Sequence, residues 1–132
     1  MRKYDPEVDR QADEWLAAGE AERIAAVEAY HRRHRIRLPR QTLHATIHTV
    51  VENQLALGEQ VVIEALARLR SEGLTRHEAV HAIGMVLAEQ IYDVLMDQGA
   101  VTSDPNTPYL ARVRQLTAEQ WRQSGEAGGE PQ

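Results

Sequence analysis

Apolar positions recur every three or four residues along most of this chain, which is the spacing of one face of an α-helix. No segment shows the sustained alternation of apolar and polar residues that a half-buried strand requires. The predicted helices cover residues 6–18, 20 to the basic run at 31–35, 40–57, 59–71, 75–97 and 107–121. The pattern therefore predicts an all-α fold, a compact bundle of about six helices with no sheet.

Helix boundaries follow from residues with special backbone preferences. Asp5-Pro6 and Thr107-Pro108 each have the form of an N-cap followed by proline in the first helical position. Gly58 and Gly73 are placed to close the third and fourth helices, and Gly73 is expected in the left-handed conformation. The segment from Val101 to Asn106 is predicted to be a loop.

Size and composition indicate one domain. With 132 residues the chain can bury a single core, which we place at residues 1–123, followed by a disordered polar tail at 124–132. Hydrophobic residues make up 42% of the chain without a single Phe, so Leu, Ile, Val and Ala must form the core. The absence of Cys excludes thiolate metal sites, cysteine nucleophiles and disulfides.

Charge and hydropathy indicate few macromolecular partners. The net charge of -5 argues against a nucleic-acid partner. A basic cluster at residues 31–40, which includes His31 and His34, is interpreted as a solvated helix end opposing the helix dipole. No apolar run approaches the ~20 residues of a membrane span, and the N-terminus has no apolar secretion signal, so we expect a cytoplasmic protein without a membrane partner. A homodimer is compatible with these features.

Two histidines and a glutamate lie on one face of the third predicted helix. His44 and His48 are four residues apart, and Glu52 follows one turn later. Together with Val51 and Leu55 they fall within about 100° of the helical wheel, so polar groups occupy a face that is otherwise apolar.

A second pair, His77 and His81, repeats the four-residue spacing on the fifth predicted helix. Because a short helix joins the two histidine-bearing helices, the four imidazoles and Glu52 are predicted to converge as ligands of a metal ion. Glu78 is the candidate general base, and Glu89, two turns beyond His81, is a second candidate. Tyr92 is either a hydrogen-bond donor to the metal-bound group or a core tyrosine.

Glu78 has an alternative role. Thr75-Arg76-His77-Glu78 has the form of a capping box, in which the Glu78 side chain accepts a hydrogen bond from the Thr75 backbone. This arrangement would place His77 in the first helical turn and occupy Glu78 with the backbone.

Three resemblances bear on this site. His77-Glu78-Ala79-Val80-His81 resembles the zincin metallopeptidase signature, which implies zinc ligation by the two histidines and a general base at Glu78. The spacing of His48 and Glu52, taken with that of His77 and His81, is similar to the ligand spacing of the haemerythrins, which implies an iron site in a helical bundle.

The segment from Leu43 to about Val113 resembles an uncharacterised bacterial family of small helical proteins. The resemblance is carried by Leu43-His44, His48, Gln54, His77-Glu-Ala-Val-His-Ala82 and Leu87-Ala-Glu89-Gln-Ile-Tyr92. It implies no particular activity, but it supports treating the two histidine helices and Glu89 as one unit.

The sequence thus predicts a metal-binding helical protein that is a metal-dependent, zinc-type hydrolase acting on a small molecule or a peptide. Two alternatives stay open, a haemerythrin-like iron site for redox or oxygen chemistry and a non-enzymatic structural metal or interaction module. Nitrogen and oxygen ligands suit zinc first and iron as the alternative divalent ion, and they do not identify the substrate.

Overall fold

The computed structural model describes residues 3–9, 12–34, 41–96, 104 and 106–124. Within these ranges the chain forms seven α-helices and no strand, which confirms the all-α prediction. The helices are α1 Ala12–Ala17, α2 Glu20–Arg33, α3 Gln41–Ala56, α4 Gln60–Ser71, α5 Arg76–Met96, α6 Asn106–Gln115 and α7 Ala118–Gln123.

The two predicted glycine stops are present. Gly58 has a φ of 80° and follows α3, and Gly73 has a φ of 105° and follows α4. Both angles lie in the left-handed region, where a side chain would be strained and glycine is not. The predicted ends of α3 and α4 are therefore confirmed to within a residue or two.

The prediction of a helix starting at Pro6 is wrong. Residues 3–9 form a turn in which the Val8 amide donates to the Asp5 carbonyl and the Glu7 amide donates to the Asp5 side chain. The Pro6 carbonyl accepts a hydrogen bond from the guanidinium of Arg76, 70 residues away. This contact holds the segment against α5, and no local sequence signal could have revealed it.

The last predicted helix is two helices. Thr117 has an extended backbone and begins α7 with a capping box, in which its side chain accepts from the Gln120 amide and its own amide donates to the Gln120 side chain. The guanidinium of Arg68 donates to the carbonyls of Val113 and Leu116, so the C-terminal end of α6 has hydrogen-bond partners.

The predicted loop at 101–106 and the predicted tail at 124–132 are described only in part. Of the predicted loop, Asp104 and Asn106 are described, and the Asp104 carboxylate accepts from the amides of Asn106 and Thr107 at the start of α6. Residues 101–103 and 105, and residues 125–132 of the predicted tail, lie outside the described residues.

Helices α3 and α5 form the centre of the fold. α3 packs against α1 and α2 on one side and against α5 on the other, while α5 also contacts α4, α6 and α7. A large apolar cluster is built from residues of α3, α4, α5, α6 and α7. A smaller one, which includes Trp15, lies between the N-terminal segment, α1, α2 and α3. A Cβ atom on Gly84 would lie 3.2 Å from Ile47 Cγ2, so glycine at this position permits the close approach of α3 and α5.

By length and composition alone α5 could also cross a membrane, with a mean hydropathy of 1.3 over its most apolar stretch. The core helix of a soluble protein meets the same criterion, and nine α5 residues are buried inside this fold.

Candidate metal centre

Five histidines from three helices meet between α2, α3 and α5. His31 comes from α2, His44 and His48 from α3, and His77 and His81 from α5. Four of them, His31, His44, His48 and His81, each contribute one ring nitrogen to a group in which all four nitrogens lie within 4.8 Å of one another. The structure thus brings together the four sequence-predicted histidines and adds a fifth.

The distance between His44 and His81 is compatible with two ligands of one ion. Their Nε2 atoms form a hydrogen bond and are 3.1 Å apart, although they lie on different helices. Two nitrogens bound to one tetrahedral zinc, each about 2.0–2.1 Å from it, would be roughly 3.3 Å apart. An ion could therefore take the place of this hydrogen bond at nearly the same nitrogen–nitrogen distance.

The tautomer of His48 follows from its hydrogen bonds. Tyr4 Oη lies 2.7 Å from His48 Nε2 and donates to Glu52 Oε2 at 2.6 Å. Because a tyrosine has one hydroxyl proton and a carboxylate can only accept, the Tyr4 oxygen must accept from His48 Nε2–H. The proton of the neutral ring is then on Nε2, and Nδ1 carries a lone pair.

His48 Nδ1 is buried and has no hydrogen-bond partner among the described residues. Burial, and then the neighbouring His81 and His77, hold the pKa of His48 well below its usual 6.5, so the ring is neutral at physiological pH. A buried lone pair without a partner is costly unless something binds it. A metal ion would satisfy this nitrogen while the Tyr4 contact fixes the ring, as partners of metal-bound histidines commonly do.

Glu52 lies behind His48. Its Oε2 accepts from Tyr4 and from Arg76 Nη1 at 2.7 Å, and its Oε1 accepts from Arg76 Nη2 at 2.9 Å. Both residues of this ion pair are about 3% exposed. The predicted ligand Glu52 therefore lies outside the four-nitrogen group and is connected to His48 through Tyr4.

His77 borders the centre. Its ring centroid is 4.4 Å from that of His81 and 5.4 Å from that of His48, but it is not one of the four grouped residues. Its Nε2 is buried without a partner among the described side chains, and burial lowers its pKa to about 2. His77 is thus a neutral imidazole adjacent to the centre.

The two predicted catalytic carboxylates lie elsewhere. Glu78 forms the alternative capping box, since its carboxylate accepts from the Thr75 amide at 2.9 Å and its amide donates to Thr75 Oγ1 at 3.1 Å. Glu89 is exposed and lines a surface depression with Tyr92, which is also exposed, and Arg112. Neither carboxylate belongs to the histidine group.

His31 was missed by the sequence interpretation. It was placed with His34 in a solvated helix end, and this is right for the exposed His34 but wrong for His31, which is 2% exposed. The available signal was its spacing, because His31 follows the inward-facing Val27 by four residues and so lies on the same face of α2. Because arginines follow His31, the basic cluster as a whole indicated a solvated helix end.

The centre borders a pocket between α3 and α5. Its volume is about 170 Å³, and its lining residues are His44, Ile47, His48, Val80, His81, Gly84, Met85 and Ala88. Three of the four grouped histidines thus form part of the pocket wall, whereas His31 is not among the lining residues. An ion held by the histidines would be reachable from this pocket.

Comparison of the chain with protein-family models, curated proteins and solved structures finds no match. The resemblances to zincins, haemerythrins and a bacterial helical family therefore stay predictions, and the four-histidine group is the observation on which a function can be argued.

Proposed function

We propose that this protein is a metal-dependent enzyme in which His44, His48 and His81 hold a divalent ion at the wall of the pocket. One observation carries the proposal: three of the four nitrogens that lie within 4.8 Å of one another belong to residues that also line the pocket. A site built for ligation alone does not need an adjoining cavity, whereas an enzyme needs space for a substrate beside the ion.

The ligand set matches a known type of catalytic site. Catalytic zinc is commonly held by three protein ligands, with a fourth position left for water or substrate. An ion of this kind acts as a Lewis acid and lowers the pKa of bound water to about 7. Hydrolysis would add that water across an ester or amide bond, giving an acid and an alcohol or amine. Because the metal itself activates the water, this proposal does not require Glu78 or Glu89.

Zinc is the proposed ion. All four grouped ligand atoms are imidazole nitrogens, which suit zinc, copper, iron and nickel. A haemerythrin-like iron site is supported less well, because non-haem iron sites in helical bundles use carboxylates and the described group contains none.

A second function is favoured by a specific observation, the presence of His31 in the group. If His31 is the fourth ligand, a tetrahedral ion is fully surrounded by imidazoles, which is typical of structural sites. The ion would then join α2 to α3 and α5 and act as a fold-stabilising link without turnover.

Metal analysis combined with X-ray absorption separates the two functions. We expect about one zinc per chain in protein loaded with zinc and freed of excess metal by gel filtration. The enzyme proposal predicts three imidazole ligands, counted from the scattering of their outer ring atoms, and one water oxygen. This shell should persist in His31→Gln, and the protein should hydrolyse a small chromogenic ester.

Two controls make this experiment decisive. His34→Gln, an exposed change three residues from His31, should leave metal content and the absorption edge unchanged. Four imidazole ligands, together with loss of zinc in His31→Gln, would establish the structural function instead. A wild-type protein that retains no metal under these conditions would refute both.

A further inference from the structure

The pocket beside the histidines has a composition that restricts its ligand. We infer that it binds a small, electrically neutral and largely apolar molecule that reaches the metal through a single donor atom. This inference rests on the proposed function and specifies the class of substrate.

Polarity is confined to one wall of the pocket. The polar lining groups are the rings of His44, His48 and His81, and the remaining lining residues are Ile47, Val80, Gly84, Met85 and Ala88. No Asp, Glu, Lys or Arg occurs among the described residues that line it. A charged group on a ligand body would lose its hydration and gain no partner here, which is costly.

The positions of nearby charges support the same restriction. The buried cation closest in sequence to this part of α5, Arg76, is bound to Glu52, Asp9 and the Pro6 carbonyl, and it lines a different depression. Apart from the ion itself, the described lining offers no cationic side chain to a phosphate ester or another anionic group. Neutral acyl compounds need only a Lewis acid for their carbonyl oxygen.

Size limits the ligand further. The pocket has a volume of about 170 Å³, and a protein cavity of about 150 Å³ is large enough for benzene. One ring or a short branched chain therefore fits, and anything larger must extend into solvent. Met85 is flexible and polarizable, so the apolar wall can adapt to ligands of slightly different shape.

Cobalt-loaded protein gives a direct test. Co²⁺ replaces zinc in nitrogen sites and absorbs visible light in a way that depends on its ligands. Three compounds share one imidazole donor and differ in their bodies: imidazole, phenylimidazole and carboxyphenylimidazole. We expect phenylimidazole to change the cobalt spectrum with a Kd roughly tenfold lower than that of imidazole, because its ring buries apolar surface. Carboxyphenylimidazole should bind about tenfold or more weakly than phenylimidazole, because its carboxylate would lose hydration in the apolar pocket.

Two variants locate the binding. Ala88→Leu fills part of the pocket without altering a histidine, so it should weaken the binding of phenylimidazole by about tenfold. The affinities for Co²⁺ and for imidazole should stay unchanged. Ala67→Leu, an exposed substitution on α4, is the matched control and should alter none of these values.

The outcomes distinguish failure of the inference about the ligand from failure of the proposed metal function. If Co²⁺ binds but the three compounds bind equally, or the carboxylate binds best, the inference about the ligand is overturned and the metal function stands. If Ala88→Leu has no effect, the ligand does not occupy this pocket and the inference is likewise overturned. If Co²⁺ does not bind at all, the metal function fails and the inference fails with it.

Discussion

Tyr4 Oη lies 2.7 Å from His48 Nε2 and joins the N-terminal segment of the chain to the candidate metal centre. The same hydroxyl donates to Glu52, which is paired with Arg76. Through this relay the proton of His48 is held on Nε2, and its buried Nδ1 keeps a lone pair. The relay is the basis of the first two predictions.

Removing the Tyr4 hydroxyl should weaken metal binding without removing a ligand. In Tyr4→Phe, His48 Nε2–H loses its acceptor and the ring is less well oriented. We expect about a 10- to 100-fold loss in zinc affinity, the range found for such outer partners. Competition with a chromophoric chelator measures it. Tyr92→Phe removes the hydroxyl of an exposed tyrosine and should leave the zinc affinity unchanged. If Tyr4→Phe binds zinc as tightly as the wild type does, the role assigned to the relay is contradicted.

Breaking the buried ion pair should destabilise the fold strongly. Glu52→Gln leaves the Arg76 guanidinium buried with an incomplete set of partners, and we expect a loss of about 3–5 kcal/mol in the free energy of unfolding. Urea denaturation measures this value. Asp93→Asn breaks the exposed pair between Asp93 and Arg112 and should cost about 1 kcal/mol or less. Similar losses in the free energy of unfolding for the two variants would show that the buried pair contributes no more to stability than the exposed pair does.

Metal binding should raise thermal stability, because the proposed ligands lie on two helices, α3 and α5, that come together only in the folded state. At a free zinc concentration 100 times the Kd, the stabilisation is about 2.7 kcal/mol. Thermal melts with zinc, and with excess chelator, measure the difference. The double variant His44→Gln, His81→Gln should not respond to zinc, whereas His34→Gln should respond as the wild type does; a zinc effect that survives the double change would place the metal elsewhere.

The metal-free protein should lose stability as the pH falls below about 6.5. Burial holds the pKa of His48 well below 6.5 and lowers that of His77 to about 2, so the folded state does not take up protons that the unfolded chain binds. The free energy of unfolding then decreases by about 1.4 kcal/mol per pH unit for each of these histidines. Urea denaturation in the presence of chelator between about pH 7.5 and pH 5, a range that spans the unfolded pKa, measures the slope.

His77→Gln provides the comparison for this pH dependence. It removes one of the two buried neutral imidazoles, so the slope should become shallower by about 1.4 kcal/mol per pH unit. A slope equal to that of the wild type would mean that His77 takes up a proton in the folded protein. His34→Gln, at an exposed position, should leave the slope unchanged.

Glu78→Gln separates a capping role from a catalytic one. Gln can replace Glu at this position of a capping box, so stability should change by less than about 1 kcal/mol. If the metal alone activates water, zinc content and turnover of a small ester should both be retained. Loss of turnover with metal retained would restore Glu78 as the general base that the His77–His81 motif predicts.

Local patterns were sufficient to predict α2, α3, α4 and α5 and the pairing of histidines within α3 and within α5. The four-residue spacing of His44 with His48, and of His77 with His81, places each pair on one helical face whatever the rest of the chain does. The capping box at Thr75 and the glycine stops at Gly58 and Gly73 are equally local, because hydrogen bonds and backbone angles of a few neighbouring residues decide them.

The tertiary structure decided which residues of other elements contact those helical faces. His31 joins the centre because α2 packs against α3, and Tyr4 reaches His48 across 44 positions of sequence because the N-terminal segment forms a turn against α5. Glu52 shares a helical face with the histidines, yet its oxygens are bound by Tyr4 and Arg76. Helical periodicity determines which side chains of one helix point the same way, but ligands contributed by different helices depend on long-range packing, which the spacing along the chain does not encode.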